Sequence, residues 1–170
     1  MEARMHRSIR STVRIVIAVL ALGACASASS SASSLAAYAA GRWSCRMSLP
    51  GKAGPTWTAT ATVSTASEST GRVAIVLPLL PGEPPNAPRR LNGDWRLNAG
   101  KLAVKWDDKS MGTVAAQPIS ANSTHFQIRE DSPGQPGRWA PIGVSRHASS
   151  VGFSFALPDA TPVDLVCNKA

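Results

Sequence analysis

The chain has 170 residues, of which 44% are hydrophobic and 16% are charged, and its formal net charge is +8. This apolar content is enough for a packed core and excludes a chain that is disordered throughout. Scarce charges together with 13 Gly and 13 Pro indicate many turns, which favours β structure over amphipathic helices.

The N-terminal segment combines a basic stretch with a short apolar run. Residues 1–14 contain four Arg, and residues 15–24 are apolar without interruption. Ten helical residues span roughly 15 Å, about half of a bilayer core. We therefore predict that residues 1–24 form an export signal peptide and not a transmembrane helix.

The apolar run ends in Leu22, Gly23, Ala24 and Cys25. This sequence resembles the lipobox of bacterial lipoproteins, in which an apolar residue and two small residues precede the cysteine. The resemblance implies cleavage before Cys25, a diacylglycerol on its thiol and a further acyl chain on its amine. Two or three acyl chains anchor a protein firmly, whereas one is marginal.

Residues 25–40 then form a tether in this interpretation, because a Ser/Ala-rich stretch behaves as a flexible linker. We predict an exported protein whose acylated Cys25 lies in membrane lipid of the bacterial cell envelope. Ala26 follows Cys25 where Asp would favour the inner membrane, so the analogy favours the outer membrane. The alternative is ordinary cleavage at an Ala-x-Ala site, which gives a secreted or periplasmic protein. Two such sites are present, at residues 26–28 and 37–39.

The three cysteines fit this picture, because an odd number in an exported protein needs an explanation. If Cys25 carries lipid, Cys45 and Cys167 remain, and we predict a disulfide between them in an oxidising compartment. The alternative is two free thiols.

From residue 41 onward the sequence alternates apolar and polar residues, which is typical of half-buried strands. The predicted strands are 42–49, 56–65, 72–77, 91–97, 102–106, 112–119, 124–130, 138–146, 150–157 and 163–167, and only residues 33–40 look helical. We predict an all-β fold with a short N-terminal helix: one small antiparallel β-barrel of eight to ten strands over residues 41–170. A barrel removes exposed edge strands, and a sandwich is the alternative.

Gly41-Arg42-Trp43 stands at the start of the first predicted strand. There it resembles the Gly-x-Trp motif that opens lipocalin-like barrels. The resemblance implies that Trp43 plugs the closed end of a barrel.

Four tryptophans share the phase of the inward residues and are the candidate lining of a ligand cavity. They are Trp43, Trp57, Trp95 and Trp106. The alternative is that these side chains only fill the core. Ala59 and Ala61 share the inward phase and would leave interior space, or fit the taper of a small barrel. The sequence thus predicts a non-catalytic binding barrel for a small apolar or amphipathic ligand of the cell envelope.

A second hypothesis is a protein-interaction module, such as an inhibitor of a protease or lysozyme. Its contact surface would be the Pro-rich loop 78–90, which is long for a hairpin connection, with Arg89 and Arg90 as the candidate contacts.

No catalytic constellation is visible, so we predict that the protein is not an enzyme and uses no cofactor and no metal. His125 and His147 are isolated, and Asp107-Asp108 is typical of a hairpin turn. Basic residues interleave with Trp95 and Trp106, but an export signal disfavours nucleic acid as a partner. We predict a monomer.

Overall fold

A computed structural model describes residues 32–48, 56–77, 90–119, 125–156 and 162–170. The predicted signal peptide and Cys25 lie outside the described residues, and so do Arg89 and residues 78–88 of the Pro-rich loop.

One short helix precedes ten strands along the described chain. The helix α1 is Ala32–Ala39, and the strands are β1 Gly41–Ser48, β2 Trp57–Ser67, β3 Thr70–Val76, β4 Arg90–Asn98, β5 Lys101–Trp106, β6 Thr113–Pro118, β7 His125–Asp131, β8 Ala140–Arg146, β9 Ser150–Ala156 and β10 Pro162–Lys169. A 3₁₀-helix, Lys109–Met111, lies between β5 and β6. Among the described residues, no helix has the length and apolarity needed to cross a membrane.

The ten strands form a closed barrel in which each strand pairs antiparallel with its neighbour in sequence. The last strand, β10, pairs with β1 and closes the sheet. The predicted barrel is therefore confirmed, with ten strands, and the sandwich is excluded.

Alternation of side chains explains why these segments form strands with one dry face. In β2, Ala59, Ala61 and Val63 are buried, whereas the threonines between them point outward. β-Branched outward residues suit a pleated, half-exposed surface. The same alternation runs through β4 and β5, so the interior receives one side chain from every second residue.

The register of the strands sets the width of the barrel. Following the residue pairs once around the barrel returns to β1 shifted by about 14 residues, a large stagger for ten strands. With ordinary strand spacing and rise, this stagger corresponds to a strand tilt of roughly 45° and a backbone radius of roughly 10 Å. Eight strands already give an interior that side chains just fill or that holds one small ligand. Ten strands enclose a wider interior than eight strands do.

The two ends of the barrel differ. At the end called here the helix end, β1 begins, α1 packs, and the β2–β3, β4–β5 and β8–β9 hairpins turn. At the opposite end, the loop end, the 3₁₀-helix joins β5 to β6, and residues 132–139 join β7 to β8.

Cys45 and Cys167 form a disulfide between directly paired residues of β1 and β10. The predicted disulfide is thus confirmed, and it joins the two strands at which the barrel closes. The bridge spans 122 residues of sequence, so the chain-entropy model assigns it about 4–5 kcal/mol of stabilisation.

Most strand boundaries lie within one residue of the prediction, and four differ by two residues: the end of β2, the start of β3, the start of β8 and the end of β10. The strand β3 begins at Thr70 and not at residue 72, because Thr70 and Gly71 pair with Arg96 and Trp95 of β4. The strand β8 begins at Ala140, so Trp139 precedes it. Trp139 is 37% exposed and lies beneath the Arg129 guanidinium, 4.9 Å from the ring centroid, so it does not belong to the interior.

Candidate functional site

The interior of the barrel, called the lumen here, is lined by the hydrophobic core of the described chain. Every buried inward residue of the ten strands is apolar or glycine. Polar and charged inward residues occur only towards the strand ends, where they are not fully buried: Thr65, Glu130, Arg146 and Lys169. The buried polar side-chain atoms of the lumen are the indole nitrogens of Trp43, Trp95 and Trp106. The register places these inward residues in about three layers along the barrel axis.

Trp95 lies flat along the barrel wall. A Cβ atom added at Gly71, its partner on β3, would stand 2.7 Å from the Trp95 Nε1 atom and 2.8 Å from its Cε2 atom. The indole crosses β3 at this glycine, and its N–H donates to the Ser64 carbonyl of β2 at 3.0 Å. Because the ring follows the wall, Trp95 takes up less of the central lumen than an indole pointing at the axis would.

Trp106 covers a glycine in the same manner. It pairs with Gly93 on β4, where an added Cβ would stand 3.0 Å from the Trp106 Cε3 atom. Its N–H lies on the opposite edge of the indole and therefore points away from Gly93. That N–H is buried and has no hydrogen-bond partner among the described residues. A buried donor without a partner is costly, and such groups often mark a site that a ligand or water completes.

A pocket of about 320 Å³ opens beside Trp106 at the loop end. Apolar side chains of the lumen and polar side chains of the rim meet in it. Its lining comprises Arg90, Leu91, Asn92, Trp106, Asp107, Asp108, Ser110 and Met111. This combination suits a molecule with an apolar body and a polar end.

The helix end is covered. Ala36 and Ala39 of α1 are buried in the core, and the Trp43 N–H donates to the Ala39 carbonyl at 2.9 Å. Tyr38 packs against Trp43 with ring centroids 5.6 Å apart. Trp43 therefore lies buried beneath α1 at this end of the barrel.

Tyr38 holds α1 to the barrel. Its hydroxyl lies 3.0 Å from both the His147 and the Ser150 carbonyl oxygens, to which it donates, and the Arg146 guanidinium stacks on its ring. Burial raises the pKa of the Tyr38 hydroxyl, and the nearby Arg146 charge opposes part of that rise. The helix end is therefore closed by specific contacts, and a ligand would enter from the loop end.

The four candidate tryptophans do not form one cluster. Trp43 and Trp95 lie in the layer at the helix end, whereas Trp106 and the half-buried Trp57 lie towards the loop end. Arg90, the described one of the two candidate contact arginines, is exposed at the start of β4. The alternation of the sequence identified the tryptophans, but it gave no sign of the glycines beneath two of them or of the unpaired Trp106 donor.

The aspartates and histidines considered as candidate chemical groups lie in turns and strands and not in a common site. Asp107 and Asp108 lie in the turn after β5, as predicted: Asp107 binds the Arg72 guanidinium at 2.6 Å, and Asp108 accepts from the Ser110 N–H at 2.9 Å. His125 is an exposed residue on β7, and His147 follows β8. Within the described ranges, no three His, Cys, Asp or Glu residues are grouped as metal ligands.

The outer wall carries a second depression, of about 360 Å³, over β7 to β10. Two glycines create it, and a serine hydroxyl from the paired strand approaches each of them: a Cβ at Gly143 would stand 2.5 Å from the Ser154 Oγ atom, and one at Gly152 would stand 2.6 Å from the Ser145 Oγ atom. The depression is open to solvent and separate from the lumen.

No protein-family model matches this sequence, and no curated protein matches it. Among solved structures, the chain is similar to a redesigned β-barrel, at 11% identity over 79% of this chain and 94% of that chain, with a TM-score of 0.40. It is also similar to a de novo designed fluorescence-activating β-barrel, at 12% identity over 79% of this chain and 96% of that one, with a TM-score of 0.41. A variant of the fluorescent protein UnaG matches at 13% identity over 77% of this chain and 95% of that one, with a TM-score of 0.31.

Proposed function

We propose that this protein is a non-catalytic binding barrel, anchored to the cell envelope through acylated Cys25, that holds a small apolar or amphipathic ligand in its lumen. The observation that carries the proposal is a wide, ten-stranded barrel whose buried lining is apolar in the described residues, and in which two tryptophans lie against the wall. The closed helix end and the loop-end pocket support entry of the ligand from the loop end.

The lining also favours one class of ligand. A carboxylate buried in the lumen would lose its hydration without meeting a cation among the buried inward residues of the described strands, which is strongly unfavourable. A hydroxyl or carbonyl oxygen of the ligand would accept a hydrogen bond from the Trp106 N–H, which has no partner among the described residues. We therefore propose an uncharged ligand with a long apolar portion and at least one hydrogen-bond acceptor.

The test is displacement of Nile red, an uncharged apolar dye, from the full-length chain. We expect hexadecanol to displace the dye at a concentration at least about tenfold lower than ionised hexadecanoate does, because only the latter buries an unpaired charge. Equal potency of the two competitors would contradict the proposed ligand class.

A matched pair of variants locates the dye. Ala59 points into the lumen and Thr58, its neighbour on β2, points outward. Ala59→Phe fills the lumen and should abolish the displaceable dye signal, whereas Thr58→Phe should leave it unchanged. If neither variant lost the displaceable dye signal, the dye would lie outside the lumen and the proposal would be refuted.

Trp106→Phe tests the unpaired donor. Removing an unsatisfied N–H breaks no hydrogen bond, and the smaller ring should lower the free energy of unfolding by about 1–2 kcal/mol through the cavity that it leaves. We expect the affinity for hexadecanol to fall roughly 5- to 10-fold, as for loss of one hydrogen bond, and the affinity for hexadecene to stay constant. An equal loss for both ligands would show that the variant changed the shape of the site and not a hydrogen bond.

A further inference from the structure

Basic side chains surround the helix end of the barrel. Arg42 is the second residue of β1, Arg96 lies two residues before the end of β4, and Lys101 begins β5. Arg146 ends β8, and Lys169 ends β10. These five residues, called the basic rim here, come from strands on both sides of the barrel, so positive charge encircles this end.

Acidic side chains gather at the other end. Of the seven Asp and Glu residues that the structure describes, only Glu68 lies at the helix end, and Asp94 lies midway, bound to Arg72 at 2.8 Å. The other five lie towards the loop end: Asp107, Asp108, Glu130, Asp131 and Asp164. Five basic residues also lie towards the loop end, so the described charges nearly balance there: Arg90, Lys105, Lys109, Arg129 and Arg138. The net positive charge of the described barrel therefore lies at the end that α1 covers.

Three members of the basic rim have charges that no ion pair of the described chain neutralises. Arg42, Arg96 and Lys101 are exposed and form no ion pair within the described part of the chain. Lys169 donates to the Tyr38 carbonyl at 3.0 Å, a contact that leaves its positive charge in place, and Arg146 stacks on the Tyr38 ring.

The basic rim is also the part of the barrel nearest to the predicted anchor. Only seven residues of chain lead from Cys25 to the first residue of α1, and they cannot span more than roughly 25 Å even when fully extended. Because α1 packs on the helix end, an anchor at Cys25 keeps this end close to the membrane surface. A basic surface within this distance is attracted to anionic lipid headgroups.

We propose that the basic rim docks on the anionic phospholipid surface of a membrane, so that the barrel stands with its helix end on the bilayer and its loop end directed away from it. The electrostatic contact acts in addition to the acyl anchor and orients the barrel. In this orientation, the loop-end pocket faces the aqueous side.

The test is lysine acetylation of the full chain on vesicles, with labelling of each lysine measured by mass spectrometry. On phosphatidylglycerol vesicles, compared with phosphatidylcholine vesicles, we expect labelling of Lys101 and Lys169 to fall several-fold. Lys105 and Lys109 are the internal control, because they lie towards the loop end, Lys105 on the same face of β5 as Lys101. Salt at about 1 M should abolish the protection by screening.

Equal labelling of Lys101 and Lys105 on both vesicle types would overturn the proposal. Protection by alginate, an acidic polysaccharide, without protection by phosphatidylglycerol vesicles would overturn it as well, in favour of a glycan partner. Neither result depends on whether the lumen holds a ligand.

A matched pair of triple variants provides a second test. Arg42→Gln with Arg96→Gln and Lys101→Gln removes three charges from the rim, and Arg46→Gln with Arg90→Gln and Lys109→Gln removes three from elsewhere. We expect the rim variant alone to lose roughly 10- to 100-fold in partitioning onto phosphatidylglycerol vesicles at low salt. All six substituted side chains are outward or in turns, so both variants should fold, and equal losses would refute a specific docking face.

Discussion

Gly71 has no side chain, and this allows the Trp95 indole to lie directly against β3. A methyl group at Gly71 would stand 1.9 Å from the Ser64 carbonyl oxygen as well as against the indole. We therefore expect Gly71→Ala to lower the free energy of unfolding by about 2–3 kcal/mol, the upper part of the range for overpacked cores. Urea unfolding measures the loss, and a shifted tryptophan emission would report the displaced indole.

Gly100→Ala is the control for this substitution. Gly100 has a positive φ of 75°, and an added Cβ would meet no atom within 4 Å. Gly100→Ala should lower the free energy of unfolding by only about 1 kcal/mol, the cost of a left-handed backbone for alanine. If both variants lost the same free energy, the close contacts at Gly71 would not explain its role.

At the scale of elements, the β4–β5 hairpin has one residue in a conformation that does not suit it. Ala99 and Gly100 form a two-residue turn, and Ala99 has a φ of 47°. Both central residues of such a turn need a positive φ, which glycine adopts without a steric penalty. We expect Ala99→Gly to raise the free energy of unfolding by about 0.5–1 kcal/mol.

Ala103→Gly is the matched control, because Ala103 is an exposed strand residue of the same hairpin. Glycine inside a strand is unfavourable, so this variant should be destabilised by about 0.5–1 kcal/mol. Thermal unfolding of both variants measures the difference. A destabilised Ala99→Gly variant would contradict the described turn.

The same elements show how far the sequence leads. Alternation in β1 and β2 identified their strands and inward residues, because a half-buried strand imposes a period of two. The pairing of Cys45 with Cys167 followed from counting cysteines, and it implied the closure between β1 and β10. Local patterns sufficed for these features.

Other features depend on register, which no single segment encodes. Gly71 and Trp95 lie 24 positions apart in the sequence and meet only because β3 and β4 pair with one particular offset. Likewise, the unpaired Trp106 donor and the loop-end pocket arise where the end of β5 meets the start of β4. The width of the barrel is the sum of all ten offsets, so the sequence predicted a barrel but not its radius.

At the scale of the whole molecule, the two ends of the barrel have different properties. The helix end is covered by α1 and surrounded by basic side chains, and the loop end has a pocket that joins apolar and polar side chains. We propose that the helix end faces the membrane and that the loop end receives the ligand. The uncharged buried lining of the lumen is the feature on which the proposed function depends most.

Native mass spectrometry of the full-length protein, released gently and unreduced from the membranes of its own host, tests that claim most directly. We expect a chain that carries acyl groups on Cys25 and the Cys45–Cys167 bridge, together with one uncharged lipophilic molecule. That molecule should be absent from Ala59→Phe and present in Thr58→Phe. A protein with no bound small molecule, or one whose bound molecule survives in Ala59→Phe, would contradict a ligand-binding lumen.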